Sequence, residues 1–544
     1  MLRLKEKRKS EIFFSVVLTV LLFCFLGLIF YINISCNPEY YDGDIYNDIN
    51  YAKEAWKAKS LFPKNWIFGN QVYVVATPVL ASLIYGLFGN AIMSMAAASC
   101  IMTVLIVITY YWMLRPLFGY NEITAGFLFI VGVLMLKAHV STSQQGLQAF
   151  FTMASYYACY LINAFIVYGC YIRIRNKSFS YRHIALAIVG VLLSFGNGMQ
   201  SLRQTAVMAL PLIVCEILLT VIYSVKKRKF ALSGSTVFSI CVFAANIAGL
   251  VAVKFVELNQ NSIYGSTELT MSVPLILKKL MYNVEFVVLT FGMDSLDLWP
   301  RLFAAVPFLL IVLFGFVLCF RDFIKKKCTE NNSFILVILF AFGCLSVFAA
   351  GVLTNVANRA LYFFMIYPLT SVEISYILLK FSKRKNIVTS IIIIFFVAIF
   401  SFRTVQCVNE IQAGKDENSD AHQIADYMME NGYKNLYSVF GLSGVQDGAE
   451  NVVVASGDKI HLVQYKRLDG SYPMKPVEYL CVKDDFRNTD SSESLYIFRD
   501  YELPKAKELC EKYGAQMTVK ADFGDSGALY AVSKNICALV DDEK

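Results

Sequence analysis

The chain has 544 residues, of which 57% are hydrophobic and 15% aromatic, and it carries a formal net charge of +8. Length alone permits several soluble domains, but this apolar fraction, with a mean hydropathy of +0.54, excludes an ordinary globular protein. The positive charge requires no nucleic-acid partner, because Lys and Arg cluster in short loops beside apolar runs, where they orient spans and meet anionic lipid; the expected partners are membrane-bound.

At the N-terminus, Arg3, Lys5, Lys7, Arg8 and Lys9 precede an apolar run at 12–33. That run is too long for a signal peptide and no small-x-small cleavage site follows, so it reads as an uncleaved first span. Further runs lie at 72–90, 91–114, 122–137, 147–171, 184–195, 204–225, 233–256, 299–320, 333–354, 360–379 and 387–403. Lipid cannot satisfy backbone polar groups, so each is expected to be a helix, and roughly 20 residues suffice to cross the hydrocarbon. Basic loops separate them: Arg173, Arg175, Lys177 and Arg182; Lys226 to Lys229; Arg321 with Lys325 to Lys327; Lys380 with Lys383 to Lys385. Placing these loops and the N-terminus in the cytoplasm works only if one run between 72 and 171 fails to cross. The segment 72–90 is short and carries Pro78, so it is expected to be re-entrant or interfacial. About eleven spans remain, with the N-terminus cytoplasmic and the C-terminus extracytoplasmic.

This topology divides the chain into a transmembrane domain, 1–405, and a soluble extracytoplasmic domain, 406–544. Outward-facing segments of the first are the loop 34–90 and the stretch 257–298. Within that stretch Lys278, Lys279, Asn283 and Glu285 interrupt an apolar pattern at helical spacing, which predicts an amphipathic helix lying in the interface. The tail alternates helix-like stretches (421–431, 504–513) with strand-like ones (435–440, 452–455, 459–465, 477–482, 495–498, 517–520, 529–532), as in a small α/β domain. Fourteen Cys are scattered without metal spacing and read as small hydrophobes, although Cys407, Cys481, Cys510 and Cys537 are placed where disulfides could form. Four His make a His-based metal site improbable.

The chemistry-bearing residues gather on the outer side. Asp42, Asp44 and Asp48 follow the first span directly, where they are either a solvated loop or general bases able to take the proton of an acceptor hydroxyl. Arg203, Lys278, Lys279, Arg301 and Arg359 are cations on the same side, suited to a departing phosphate; Lys279 and Arg301 equally read as snorkelling to lipid headgroups. Arg359, beside Asn358, opens an apolar run, where a charge is costly and therefore expected to function.

The segment from Glu39 to Pro78 is similar to the first external loop of GT-C glycosyltransferases that use polyprenyl-phosphate sugars, the group containing protein O-mannosyltransferases and lipid A aminoarabinose transferases. Asp44, Tyr46, Tyr51 and Ala52 match an acid followed by Tyr and Ala at helical spacing. The stretch Leu61 to Trp66 matches a Trp-Pro-like turn, and Ala76 to Leu80 the segment before the next span. Asn358, Arg359 and Tyr362, leading to Tyr367, Pro368 and Leu369, resemble the late Arg-Tyr and Pro-Leu element of the same proteins. The resemblance implies a polytopic α-helical GT-C-like fold, and Asp44 as catalytic carboxylate with Asp42 as runner-up. The topology and the outward-facing polar segments together suggest a substrate site drawn from Arg359, Asn358, Arg203, Lys278, Lys279, Asp48, Tyr46, His139 and Gln144. Three positions depart from the family: Ile45 follows Asp44 in place of an acid, Thr77 replaces a Lys, and His139 to Gln145 lacks the usual carboxylate. The last removes a potential ligand, so a divalent cation is possible but not required.

The expected activity is sugar transfer from a polyprenyl-phosphate donor to a glycan, lipid or protein acceptor outside the cell membrane. A flippase of lipid-linked saccharides would need charged residues facing a cavity within the spans, whereas Glu216, Glu373 and Lys254 are the main exceptions in otherwise apolar runs. A non-catalytic assembly factor using the outer domain as a binding module is the third reading.

Overall fold

The computed structural model describes the chain apart from residues 1, 36–42, 70, 137–145, 148, 153–154, 176–179, 228–232, 261–268, 271, 292–297, 326–331, 357, 382–384, 418, 440–448, 467, 469–473, 488–493, 525–526 and 544. In chain order its first half comprises α1 (Leu2–Ser35), α2 (Gly43–Ala58), β1 (Trp66–Phe68), α3 (Thr77–Phe88), α4 (Ala91–Leu114), α5 (Tyr120–Leu136), α6 (Ala158–Ile174) and α7 (Tyr181–Gln200). A composite α8 follows, in which Leu202–Gln204, the π turn Thr205–Ala209 and Leu210–Lys227 run on continuously. Then come α9 (Gly234–Ala252), β2 (Asn259–Gln260), α10 (Val273–Leu289), α11 (Leu298–Lys325), α12 (Asn332–Leu353), α13 (Ile366–Lys380) and α14 (Lys385–Glu417).

Among the described residues nine helical stretches are long and apolar enough to cross a membrane, and the protein is a multi-pass membrane protein. The 17-residue apolar helices α5 and α6, roughly 25 Å long, reach the lower limit for a span and bring the total to the eleven expected. Helix α3 does not: its 12 residues extend only about 18 Å against a core of about 30 Å. Pro at its start and Gly89 at φ 73° after its end bound it on both sides.

The two ends of the bundle differ chemically. At one end α1, α5 and α14 begin together, with Ser15 donating to Asn121 Oδ1 (2.7 Å) and Lys385 paired with Glu122 (2.5 Å). Asp322, near the end of α11, is gripped there by Lys380 and by Tyr376 (2.5 Å). At the other end Asn33 of α1 donates to Phe151 O (2.8 Å) and Arg403 of α14 to Leu136 O (2.6 Å). Both α2 and the C-terminal domain sit at this second end. Helices α7 and α9 touch backbone to backbone: a Cβ on Gly198 would lie 1.9 Å from Asn246 O, and one on Gly249 would lie 2.1 Å from Phe195 O, the small-residue packing that membrane helices use.

The last span does not stop at 405, because α14 continues to Glu417 and delivers the chain into α15 (Ser419–Glu430). A six-stranded sheet follows, ordered β5-β4-β3-β7-β9-β8, built from β3 (Asn435–Val439), β4 (His461–Lys466), β5 (Lys475–Pro476), β7 (Ser494–Phe498), β8 (Met517–Asp522) and β9 (Ala528–Val532). Its centre, β4-β3-β7, is parallel and its flanks are antiparallel. Two sequence expectations fail here. The stretch 452–455 is helical, within Glu450–Ala455, because Val452 and Val453 pack into the domain core while Val454 faces α2 and α3. The stretch 477–482 is not one strand: Leu480 takes φ 51°, and only β6 (Cys481–Val482) pairs at its end. Among the described residues no disulfide joins Cys407, Cys481 or Cys510 to a partner.

A second, three-stranded sheet fastens this domain to the body. Strand β1 of the first loop pairs parallel with β2 and antiparallel with β6, in the order β2-β1-β6. Lys483 N donates to Asn65 O (2.6 Å), and Tyr479 packs so closely on Gly69 that a Cβ there would lie 2.7 Å from its ring.

Candidate active site at one end of the bundle

Helix α2 has three faces, and the residue spacing assigns each one. Ile45, Ile49 and Ala52 are buried against α3 and α4. Tyr46 and Lys53 turn to the C-terminal domain: Tyr46 packs with Ala421 and Ile424 and donates to Leu462 O (3.2 Å), and Lys53 pairs with Asp458 (2.6 Å). The third face carries Asp44, Asp48, Tyr51 and Ala55, four and three residues apart in turn, toward the segment 66–76. There Tyr51 packs against Tyr73 with ring centroids 4.5 Å apart and the rings tilted by 54°, and Tyr73 Oη donates to Asp48 Oδ1 (2.7 Å). Burial, and then the Asp48 and Asp44 carboxylates, raise the Tyr73 phenol well above its ordinary value, so it stays a donor. Asp44 lies in the first turn of α2.

The segment 71–77 connects these acids to the cations. Val72 N donates to Gln200 O (3.2 Å), Val75 N to Gln200 Oε1 (2.8 Å), and Tyr160 Oη to Gln71 Oε1 (3.0 Å). Thr77 is buried and donates to Ser155 O (3.3 Å). Three residues past Gln200, Arg203 stands in a cage of tyrosines. Its guanidinium donates to Tyr157 Oη (3.2 Å), lies 4.1 Å from the Tyr362 ring centroid, and has Tyr157 and Tyr160 at 5.6 and 5.8 Å. Among the described residues it has no carboxylate partner. The π turn after it frees carbonyls of α8, which Tyr168 and Ser346 satisfy; such turns recur at functional sites. Arg359 is exposed and precedes the 3-10 turn that carries Tyr362, whose N donates to Arg359 O (3.0 Å).

The structure thus brings Asp44, Asp48, Arg203 and Arg359 to one end of the bundle. Other expected site residues serve the scaffold. Lys279 reaches from α10 to Thr354 O (2.6 Å) and Thr270 Oγ1 (2.8 Å), and Asn358 donates to Asn283 Oδ1 (2.5 Å), so together they pin the loop before Arg359. Lys278 is exposed on α10, 5.7 Å from the Tyr282 ring. Tyr46 anchors the C-terminal domain. Asp42, His139 and Gln144 lie outside the described residues. No cluster of three His, Cys, Asp or Glu able to hold a metal occurs among the described residues. Sequence reasoning missed Tyr73, Tyr157 and Tyr160; tyrosines three apart at the mouth of α6, on the side expected to face outward, were the available signal.

No protein-family model and no curated protein matches the chain. Solved structures do, among them ArnT from Cupriavidus metallidurans bound to undecaprenyl phosphate, at 11% identity and TM-score 0.55 over 95% of this chain and 98% of that one, and the same protein in the apo state, at 10% identity and TM-score 0.55 over 96% and 98%. The chain therefore carries, from its first span through its C-terminal domain, the fold of ArnT.

Proposed function

We infer that the protein transfers a sugar from a polyprenyl-phosphate donor to an acceptor hydroxyl on the outer face of the cell membrane. The observation that carries this reading is the tyrosine-caged Arg203 guanidinium, which has no carboxylate partner among the described residues and stands at the same end of the bundle as Asp44 and Asp48. A cation kept partly buried without an acidic partner is costly unless an anion joins it, and a guanidinium fork suits phosphate. The fold is shared with a protein solved with undecaprenyl phosphate, which supports a polyprenyl phosphate as that anion.

In this reading the acceptor oxygen attacks the anomeric carbon and loses its proton to Asp44. The bond from that carbon to the phosphate oxygen breaks, the oxygen keeps the electron pair, and Arg203 with Arg359 holds the charge that develops on it. Tyr73 and Asp48 hold the facing segment. The N-terminus is cytoplasmic and the C-terminal domain extracytoplasmic. The test is release of polyprenyl phosphate from a polyprenyl-phosphate sugar by membranes carrying wild type, Asp44→Asn or Asp42→Asn. Loss in Asp44→Asn alone is expected; wild-type release from both variants overturns the assignment of the base.

A further inference from the structure

The C-terminal end of α2 meets α3 about 20 Å from Asp44 along the helix, and the corner they form combines an indole, a cation and an apolar face. Trp56 packs on α3 so closely that a Cβ on Gly86 would fall 2.3 Å from its ring. Lys59 Nζ stands 3.2 Å from the centroid of the same indole. Lys59 takes φ 52°, and its N donates to Trp56 O (3.2 Å). Glycine is the usual residue at such a left-handed position after a helix, yet here an exposed lysine is held over the ring. Next to Gly86, Leu83 and Leu87 share one face of α3, four residues apart, and Leu87 and Phe88 are each 77% exposed.

That apolar face continues a row that faces hydrocarbon. Met93, Ile101, Leu105 and Ile108 are exposed at helical spacing along the span α4, from which only Gly89 and Asn90 separate α3. Leu83, Leu87 and Phe88 therefore extend the lipid-facing surface to the end of the span, the level at which tryptophan rings and lysine ammonium groups settle. Charge sets the headgroup. Lys53 is paired with Asp458 and Lys57 with Glu54 (2.6 Å each), neither α3 nor α4 carries a charged side chain, and among the described residues Lys59 joins no ion pair. One net positive charge remains beside an apolar face, which suits a phosphodiester joined to acyl chains. A second copy of the chain docked here by two-fold symmetry would bring two such lysines together with no unpaired acid in the corner to receive them. We propose that this corner binds an anionic phospholipid of the surrounding leaflet, its phosphate at Lys59 and its acyl chains along Leu87 and Phe88.

The test uses the full chain in vesicles of equal parts phosphatidylcholine and phosphatidylglycerol, with bromine on the acyl chains of one lipid or the other. The fluorescence lost on replacing Trp56 by Phe is the signal of that residue, and Phe88→Trp, at an exposed position, gives a second reporter that does not depend on the Trp56→Phe protein folding. Stronger quenching by brominated phosphatidylglycerol is expected. The preference should fall about fivefold in Lys59→Gln, the worth of one cation at an anionic surface, survive in Lys59→Arg, and weaken as added salt shortens the screening length. Equal quenching by the two lipids, or a preference that Lys59→Gln leaves intact, overturns the proposal. So does the absence of quenching at both reporters, which would mean that a protein surface covers the corner.

Discussion

Replacing Arg203 by Ala isolates the phosphate-holding step. Among the described residues the guanidinium spends one of its five donors on Tyr157 and offers its face to Tyr362 at 4.1 Å, so most of its hydrogen-bonding capacity remains for the proposed phosphate. A charge-assisted bond to phosphate contributes about 1.5–3 kcal/mol, and a donor aimed at charge developing on a leaving group about 2.7–4 kcal/mol. Arg203→Ala is therefore expected to lower kcat/KM for a polyprenyl-phosphate sugar by about 100- to 1000-fold. Arg203→Lys keeps the charge without the planar fork and should fall between, roughly tenfold below wild type. Loss of the ring contact costs the fold about 0.5–2 kcal/mol, so thermal midpoints in detergent are recorded alongside. The assay is initial-rate release of polyprenyl phosphate at subsaturating donor. Wild-type kcat/KM in a folded Arg203→Ala protein refutes the reasoning, because the guanidinium would then serve only its tyrosine cage.

Three further outcomes follow from the packing. Gly198→Ala drives a methyl into Asn246 O, 1.9 Å away, and should lower stability by about 1–3 kcal/mol, read as a lower thermal midpoint; an unchanged midpoint would mean that α7 and α9 are less tightly joined. Lys53→Ala leaves Asp458, itself only 16% exposed, without its partner, at a cost of about 1–3 kcal/mol between the surface and buried limits, and hydrogen exchange in α2 and β6 should quicken. In the C-terminal domain burial raises the Glu502 carboxyl, against lowering contacts from Arg499 and Tyr465. Its protonated form is favoured on folding, so its stabilising contribution is full below the unfolded value near pH 4.3 and fades as pH rises through the higher folded one. Glu502→Gln should flatten the thermal midpoint measured from about pH 4 to 8, and an identical profile in the variant would contradict the assigned cause.

The fold was legible wherever a local pattern carries a physical meaning. Run length and loop charge set the number of spans and singled out 72–90 as too short, and Lys278, Lys279 and Asn283 at helical spacing placed α10. The failures are non-local. Val452 to Ala455 is β-branched and apolar, as a strand would be, but becomes a helix because its valines fill two different cores. The sheet β2-β1-β6 joins pieces of two and three residues, too short to show any period. At the candidate site, Asp44, Asp48 and Arg203 were picked out by charge on the side expected to face outward, whereas the contacts of Lys279, Asn358 and Tyr46 were not foreseeable, since carbonyl and amide acceptors from distant segments satisfy them. Likewise, nothing local in Tyr157, Tyr160 and Tyr362 announces that they converge on one guanidinium.

The most direct measurement is a structure of the protein with undecaprenyl phosphate bound. The account predicts the phosphate within hydrogen-bonding distance of the Arg203 guanidinium, on the Asp44 side of the 71–77 segment. A phosphate seated instead among the lysines at the opposite end of the bundle, near Lys380 and Lys385, would contradict it.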